Sequence, residues 1–209
     1  MNIIEKLKWR YATKKFDNNL YINKEKLNIL KEAFNLTATS FGLQPIKLVI
    51  VRDKVIQASL VEYSMNQVQV EQASHVLVFC IETNINEDYI ETYFKRVKSI
   101  RNTPDEILQP FKDYILDDFK DKPIKSIKDW AINQAYLAMG NLLTVCAIED
   151  IDACPMEGFD PEKYNELLQL KKRRLHSVLV MPIGYRAKDD MFADFKKVRK
   201  NVSESVYEL

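Results

Sequence analysis

Glycine is scarce in this chain. Four occur in 209 residues, Gly42, Gly140, Gly158 and Gly184. They stand too far apart to form GxGxxG or a P-loop, so a glycine-rich phosphate cradle is excluded and any bound phosphate must be held mainly by side chains. Cysteine is scarcer still. Cys80, Cys146 and Cys154 are odd in number, lack CxxC spacing and sit in apolar surroundings. They read as reduced thiols and imply a cytoplasmic protein. With only His75 and His176 present, neither HExxH nor a Cys/His zinc pattern can be assembled, and no metal site is expected. There is no G-x-S-x-G elbow. No 18 apolar residues run together, and MNIIEKLKWRYATKKF interrupts its apolar residues with charges. Neither a membrane span nor a secretory signal is therefore expected. Charge of one sign is lacking too: 31 Lys+Arg against 30 Asp+Glu leave a net charge of +1. No global field draws the protein to nucleic acid or an anionic membrane.

What is present is ordinary globular material, 46% hydrophobic and 29% charged, in a length that suits one elaborated domain. Asn2 can cap a first amphipathic helix, with Glu5 completing a capping box and Ile3, Ile4 and Leu7 on one face. A second helix is predicted from about Lys24 to Leu36, capped by Asn23. IKLVIV (46–51), HVLVFCI (75–81) and HSVLVMPIG (176–184) read as strands, with a short helix near 54–64 between the first two. The second strand is too apolar for a solvent-facing edge. Residues 86–122 are mostly helical and rich in Tyr and Phe, and Thr103-Pro104-Asp105-Glu106 marks a helix start with Thr103 as cap. Residues from about Lys125 to Glu149 form the most hydrophobic helix, buried on most sides in a core or between subunits. Asp160-Pro161 begins another. No repeat, low-complexity tract or linker interrupts residues 1–209, which read as a single α+β domain. The tail from Lys188 to Leu209 carries Val202, Val206 and Tyr207, apolar residues suited to docking on a partner subunit.

Two basic clusters lie at opposite ends of the chain: Arg10, Lys14 and Lys15, and Lys196, Lys197, Arg199 and Lys200. Arginine offers a planar fork to phosphate oxygens and lysine a point charge. Taken alone, either cluster reads first as solvated surface charge. The clusters belong, however, to an ordered series. Arg10…Lys14…Phe16 is followed by Thr39-Ser40 before Gln44-Pro45, then by Asn66-Gln67-x-Gln69 before Ala73-Ser74-His75. Pro155-Met156-Glu157-Gly158-Phe159, Met181-Pro182-Ile183-Gly184 and Lys197-x-Arg199 complete it. In this order and spacing the whole chain resembles the FMN-dependent nitroreductase family, the oxygen-insensitive NAD(P)H nitroreductases and flavin reductases.

The resemblance implies a nitroreductase-like α+β fold: a mixed central sheet flanked by helices, in an intertwined homodimer with FMN at the subunit interface. The segment from about 188 to 209 would dock on the partner. Arg10, Lys197 and Arg199 match the positions that hold the FMN phosphate, with Tyr11 and Ala12 beside them. Lys14, Asn66 and Gln69 match positions near the pyrimidine edge of the flavin. Ala38, Thr39, Ser40 and Gly42 fall where the other subunit contacts it. Pro155, Met156, Glu157 and Gly158 match the segment covering one flavin face, with the backbone N–H groups of Glu157 and Gly158 as its donors. The implied activity is a ping-pong hydride transfer from NADH or NADPH to nitroaromatics, quinones or flavins, carried by FMN with no catalytic side chain. Related readings are dehalogenation, flavin destruction, or a flavin-sequestering protein without turnover.

Departures from the family pattern bear on the site. Gly42 stands where Asn is common, Tyr11-Ala12 where His-Ser is common, and Gln69 where Lys is common. Loss of that lysine removes a cation that would stabilise negative charge on the reduced flavin, so bound FMN is expected to be harder to reduce. Glu157 is read as contributing its backbone, with its carboxylate turned elsewhere, and Gly158 as needing positive φ or close backbone approach. Cys154, His75 and His176 are read as structural. One or two of Phe111, Tyr114 and Phe119 are expected to line the substrate slot.

Overall fold

The computed structural model describes residues 2–209. Its sheet contains β1 (Ile46–Val51), β2 (His75–Glu82), β3 (Asp152–Ala153) and β4 (Leu175–Gly184), in the order β1-β2-β4-β3. All three ladders are antiparallel. The expectation of a mixed sheet is corrected accordingly; a parallel pairing occurs as the isolated bridge Ala12–Ala153. The reason is topological. Val51 at the end of β1 lies opposite Val76, and Glu82 at the end of β2 opposite Leu175. The chain between β1 and β2 therefore leaves and re-enters at one end of the sheet, whereas the chain leaving β2 crosses to the other end, where Asp152 opens β3 opposite Gly184.

The predicted strand β2 is buried along nearly its whole length, and its period-2 alternation sends side chains to two different cores. Leu77, Phe79 and Ile81 join Ala131, Ala135, Ala138 and Leu142 of α7 (Ile124–Ile148) and Leu30 of α2 (Lys24–Asn35). Val76, Val78 and Cys80 join Leu60 of α3 (Lys54–Val61) and Tyr164 of α8 (Pro161–Leu167) on the other face. In β4 a bulge opposite Phe79 and Cys80 skips Val178. One extra residue reverses the parity, so Leu179, Met181 and Ile183 face α7 while Leu175 faces the other core.

Several helix boundaries follow from local chemistry. Asn23, Asp53 and Asp160 cap α2, α3 and α8 through side-chain oxygens. Asn2 caps α1 (Ile3–Trp9) by accepting from the Ile4 N–H, but the predicted reciprocal bond is missing, because Glu5 pairs with Lys8 instead. The aromatic stretch divides into α5 (Glu87–Arg101) and α6 (Asp105–Lys120), separated where Asn102 adopts φ 50°. The predicted cap at Thr103 is shifted by one: Pro104 is the cap position and Asp105 begins the helix. A third core, with Leu43, Ile90, Phe94, Ile115 and Phe119, lies under these two helices. Two further short helices, α4 (Gln69–Gln72) and α9 (Val202–Ser205), have no periodic signal in the sequence. Helix α7 has the length and apolarity to cross a membrane; here it packs its small residues against the sheet and α2 as a core helix.

His75 starts β2 as a buried structural residue. The Ile22 N–H donates to Ser74 Oγ at 2.9 Å, and Ser74 Oγ shares a hydrogen bond with His75 Nδ1, also at 2.9 Å. Burial, with the nearby charges of Arg52, Lys54 and Lys31, pushes its pKa down to about 4. An unfolded chain binds this proton near pH 6.5. Between those values the unfolded state holds more protons, so stability falls as the pH falls. We expect wild type to lose stability from pH 6.5 towards 4 by more than His75→Gln does. Urea titrations across that range measure the difference, and parallel curves would show His75 to be solvated.

Candidate functional site

Arg10 terminates α1 in extended conformation, and the chain then runs along the sheet as far as Asp17. Ala12 bridges to Ala153, Phe16 to Arg186, and Ala187 N–H donates to Lys15 O at 2.9 Å. From the other end, a short turn at Met191–Asp194 delivers residues 195–199 to the same place. Arg10, Tyr11, Ala12, Lys14, Lys197 and Arg199 line one cavity of ≈ 390 Å³, within the range of small-molecule sites. The Lys197 ammonium donates to the Arg10 carbonyl.

The electrostatics of this cluster are one-sided. Burial and then the Arg199 charge lower the Arg10 pKa, and burial with both arginines lowers that of Lys197. Among the described residues no carboxylate forms an ion pair with Arg10, Lys197 or Arg199. Three cations held together without a counter-ion repel one another, and a dianionic phosphate removes that repulsion. The donor set therefore fits the FMN phosphate.

A polar path continues from Lys14. Its ammonium lies 3.9 Å from Cys154 Sγ, as does Gln69 Nε2. Gln69 also donates to Gln67 Oε1 at 2.9 Å, and Gln67 Nε2 donates to Gly158 O at 3.2 Å. Asn66 is exposed at φ 56°, one residue after Met65 at φ 53°; its backbone N–H donates to Val61 O at 3.1 Å, and its side-chain amide has no protein partner among the described residues. Gly158 needs close approach and not positive φ. A Cβ there would stand 3.0 Å from Met65 Sδ and 3.4 Å from Gln67 Nε2.

Met156 exchanges backbone hydrogen bonds with Val180 at 2.8 and 3.1 Å, whereas the N–H groups of Glu157 and Gly158 find no protein acceptor among the described residues. Two adjacent unclaimed donors are the second feature that suits a flavin edge. Burial and the neighbouring Glu157 carboxylate raise the pKa of the exposed Tyr136 phenol on α7. Burial pushes the Cys154 thiol up despite Lys14 beside it, which makes it a packed thiol and not a nucleophile.

Ala38, Thr39, Ser40 and Gly42 do not line the cavity or join this path. Ser40 N–H donates to Gln134 Oε1 at 2.9 Å. That residue is roughly 20 Å before the C-terminal end of α7 at 1.5 Å per residue, the end that Lys6 of α1 reaches through Asp150. The chain thus keeps this loop apart from its own cations. Gly42 adopts φ +73° with the Tyr93 hydroxyl 2.7 Å from where a Cβ would sit, so neither Asn nor any larger residue fits without a shift. Of the three aromatic candidates, Phe119 is 7% exposed and packs edge-on to Trp130 at 5.2 Å; it belongs to the core. Tyr114 is 59% exposed and has no ring partner among the described aromatic pairs. Phe111, 45% exposed, sits 6.4 Å from Phe41 and so adjoins the Ser40–Gly42 turn.

Sequence reasoning missed two acids. Asp152 accepts from Arg186 Nε and Arg186 N, both at 2.8 Å, and the guanidinium stacks 4.3 Å from Trp9 and 4.6 Å from Tyr11. Asp190 accepts from the Tyr11 hydroxyl and from the Lys14, Lys15 and Phe192 N–H groups. Burial works to raise the Asp190 carboxyl, yet these four donors hold it below its usual range. Tyr11, shifted above the usual phenol range by burial and by Asp190, therefore has its hydroxyl committed and leaves none for a phosphate. The partners lie up to 179 positions apart, and no local pattern announces them.

Residues 7–185 match the family model described as the Nitroreductase family. A Staphylococcus epidermidis protein provisionally named an NAD(P)H nitroreductase is 31% identical over 212 residues, covering 98% of this chain and 95% of its own. Among solved structures, the provisionally named nitroreductase ydfN of Bacillus subtilis is similar with TM-score 0.87 at 22% identity, over 99% of this chain and 98% of its own. A further structure under the same provisional name, from Exiguobacterium sibiricum and in complex with FMN, has TM-score 0.83 and 22% identity, over 100% and 98%.

Proposed function

Because this chain belongs to the nitroreductase family, we propose that it is an FMN-dependent NAD(P)H oxidoreductase, working as a homodimer on nitroaromatics, quinones or free flavin. The observation that carries this reading is the meeting of Arg10 with Lys197 and Arg199, from opposite ends of the chain, around one cavity without a counter-charge. FMN, when bound, supplies the ability to accept a hydride from NADH or NADPH and return it to an oxidant, one substrate leaving before the next enters.

The protein's own part is to hold, orient and cover. Arg10, Lys197 and Arg199 take the phosphate, with Tyr11 and Ala12 forming the wall beside it. Lys14, Asn66 and Gln69 face the pyrimidine edge, where a cation and two amides stabilise negative charge. Pro155 and Met156 cover one face, and the free N–H groups of Glu157 and Gly158 offer hydrogen bonds to the ring edge. Ala38, Thr39, Ser40 and Gly42 serve the cofactor of the other subunit, which accounts for their separation from the cations of their own chain.

Exposed apolar residues support the dimer. Ile3, Ile4, Leu7 and Trp9 on α1 and Tyr136 and Leu137 on α7 lack cover, as do Val198, Val202, Val206 and Tyr207 of the tail. Segment 188–209 docks on the partner, burying apolar surface that water penalises. Cys80, Cys146 and Cys154, all free and buried, suit a reducing cytoplasm.

Anaerobic mixing tests the reading. The purified protein should be yellow, NADH or NADPH should bleach it, and a quinone or nitroaromatic should restore the colour. A yellow protein that neither nucleotide bleaches would refute the proposed activity and leave flavin sequestration.

A further inference from the structure

We infer that Asp190 is a positioning residue: its carboxylate fastens the C-terminal segment to the segment bearing Arg10 and Lys14, so that Lys197 and Arg199 stand opposite Arg10. The inference rests on the FMN reading above and goes beyond it, since Asp190 itself carries the wrong charge to touch a phosphate.

The geometry is that of a clamp. Asp190 follows the exit of β4 and is 4% exposed. Its Oδ2 accepts from the Tyr11 hydroxyl at 2.8 Å, Lys14 N–H at 3.0 Å and Lys15 N–H at 3.2 Å. Its Oδ1 accepts from Phe192 N–H at 3.2 Å and caps the Met191–Asp194 turn. One side chain therefore binds the N-terminal segment with one oxygen. With the other it starts the turn that sends the chain towards Lys197. Backbone contacts between the two segments close at Ala187 N–H to Lys15 O; beyond that point the Asp190 carboxylate replaces a strand ladder. Without it, residues 191–199 keep the Lys197–Arg10 contact and the packing of Phe192 on Phe195. The first is made by an exposed lysine and the second is internal to the tail.

Position and charge make opposite demands here, which gives the test its sign. Removing a negative charge beside an anion site tightens anion binding by Coulomb attraction alone. Removing a clamp weakens it, because the cations must then be ordered at the moment of binding.

The experiment is fluorescence titration of FMN into the full-length apoprotein at several salt concentrations. The variants are Asp190→Asn, Asp190→Glu and Tyr11→Phe, with Arg199→Ala as a reference for charge loss. Asp190→Asn is expected to raise the Kd for FMN by about tenfold or more. It should keep the salt sensitivity of wild type, whereas Arg199→Ala reduces that sensitivity because it removes a cation. Asp190→Glu should recover part of the loss. Tyr11→Phe removes one of the four donors, should weaken binding by a smaller factor, and carries the test if Asp190→Asn does not fold. When both are soluble, the double variant should be no weaker than Asp190→Asn, because Tyr11 acts through Asp190. Equal or tighter binding by Asp190→Asn, reduced salt sensitivity in that variant, or additive losses in the double variant would overturn the inference. Failure of the wild-type apoprotein to bind FMN would instead sink the cofactor reading itself, and this inference with it.

Discussion

Arg10→Ala combined with Arg199→Ala is expected to give a folded protein that loses its FMN on gel filtration. A hydrogen bond to a charged group contributes about 1.5–3 kcal/mol. Two such contacts amount to about 3–6 kcal/mol, or roughly 10²–10⁴ in Kd. The fold should be indifferent to the change. Neither side chain belongs to the buried cores, and among the described residues neither makes an ion pair. Removing both also relieves repulsion within the cluster, since burial and Arg199 both disfavour the charged form of Arg10. The ratio of flavin to protein absorbance reads the result directly. Unchanged cofactor content would mean that the phosphate is held elsewhere in the molecule.

The second large effect concerns stability. Asp152, 5% exposed, accepts two hydrogen bonds from Arg186, whose guanidinium is enclosed by Trp9 and Tyr11. Asp152→Ala leaves that guanidinium without its counter-charge in a partly buried site, at a cost of about 3–5 kcal/mol. For a domain of this size the loss corresponds to a Tm lower by roughly 6–20 °C. The double variant Asp152→Ala/Arg186→Met should regain most of it, because an apolar pair leaves no unpaired charge. Thermal unfolding followed by circular dichroism measures both. A Tm for Asp152→Ala within a degree or two of wild type would show that water reaches the guanidinium and screens it.

The two effects act on different levels of one construction. Trp9 and Tyr11, which enclose Arg186, flank Arg10 in the sequence, so the buried pair sets the backbone from which Arg10 projects. Asp190 takes the Tyr11 hydroxyl from the other side. The cation cluster thus stands on two buried acids, neither of which lines the cavity.

Much of this protein was decided within short stretches of the chain. Alternation and apolar runs marked β1, β2 and β4 to within a residue or so, and side-chain caps at Asn23 and Asp160 opened the helices where they were expected. These signals are legible because each depends on neighbours within one helical turn or one strand. The boundary at Thr103 was misplaced by a residue because Pro104 takes the cap position with its fixed φ. The candidate cations were legible through their order and spacing, which carry a family resemblance, and not through their charge alone.

Other features were decided only when distant segments met. The antiparallel order of the sheet depends on where each helical excursion returns, and the bulge at Val178 depends on pairing with β2. Gly158 is crowded by the side chains of Met65 and Gln67, which a Cβ would push aside, and its own backbone angle makes no demand for glycine. Asp152 and Asp190 look like any surface acids in the sequence; closure of the fold buries them and gives them partners 34 and up to 179 residues away. Local patterning sets which elements form because its energies are short-ranged. Desolvation makes those two acids matter, and it exists only once the chain has closed around them.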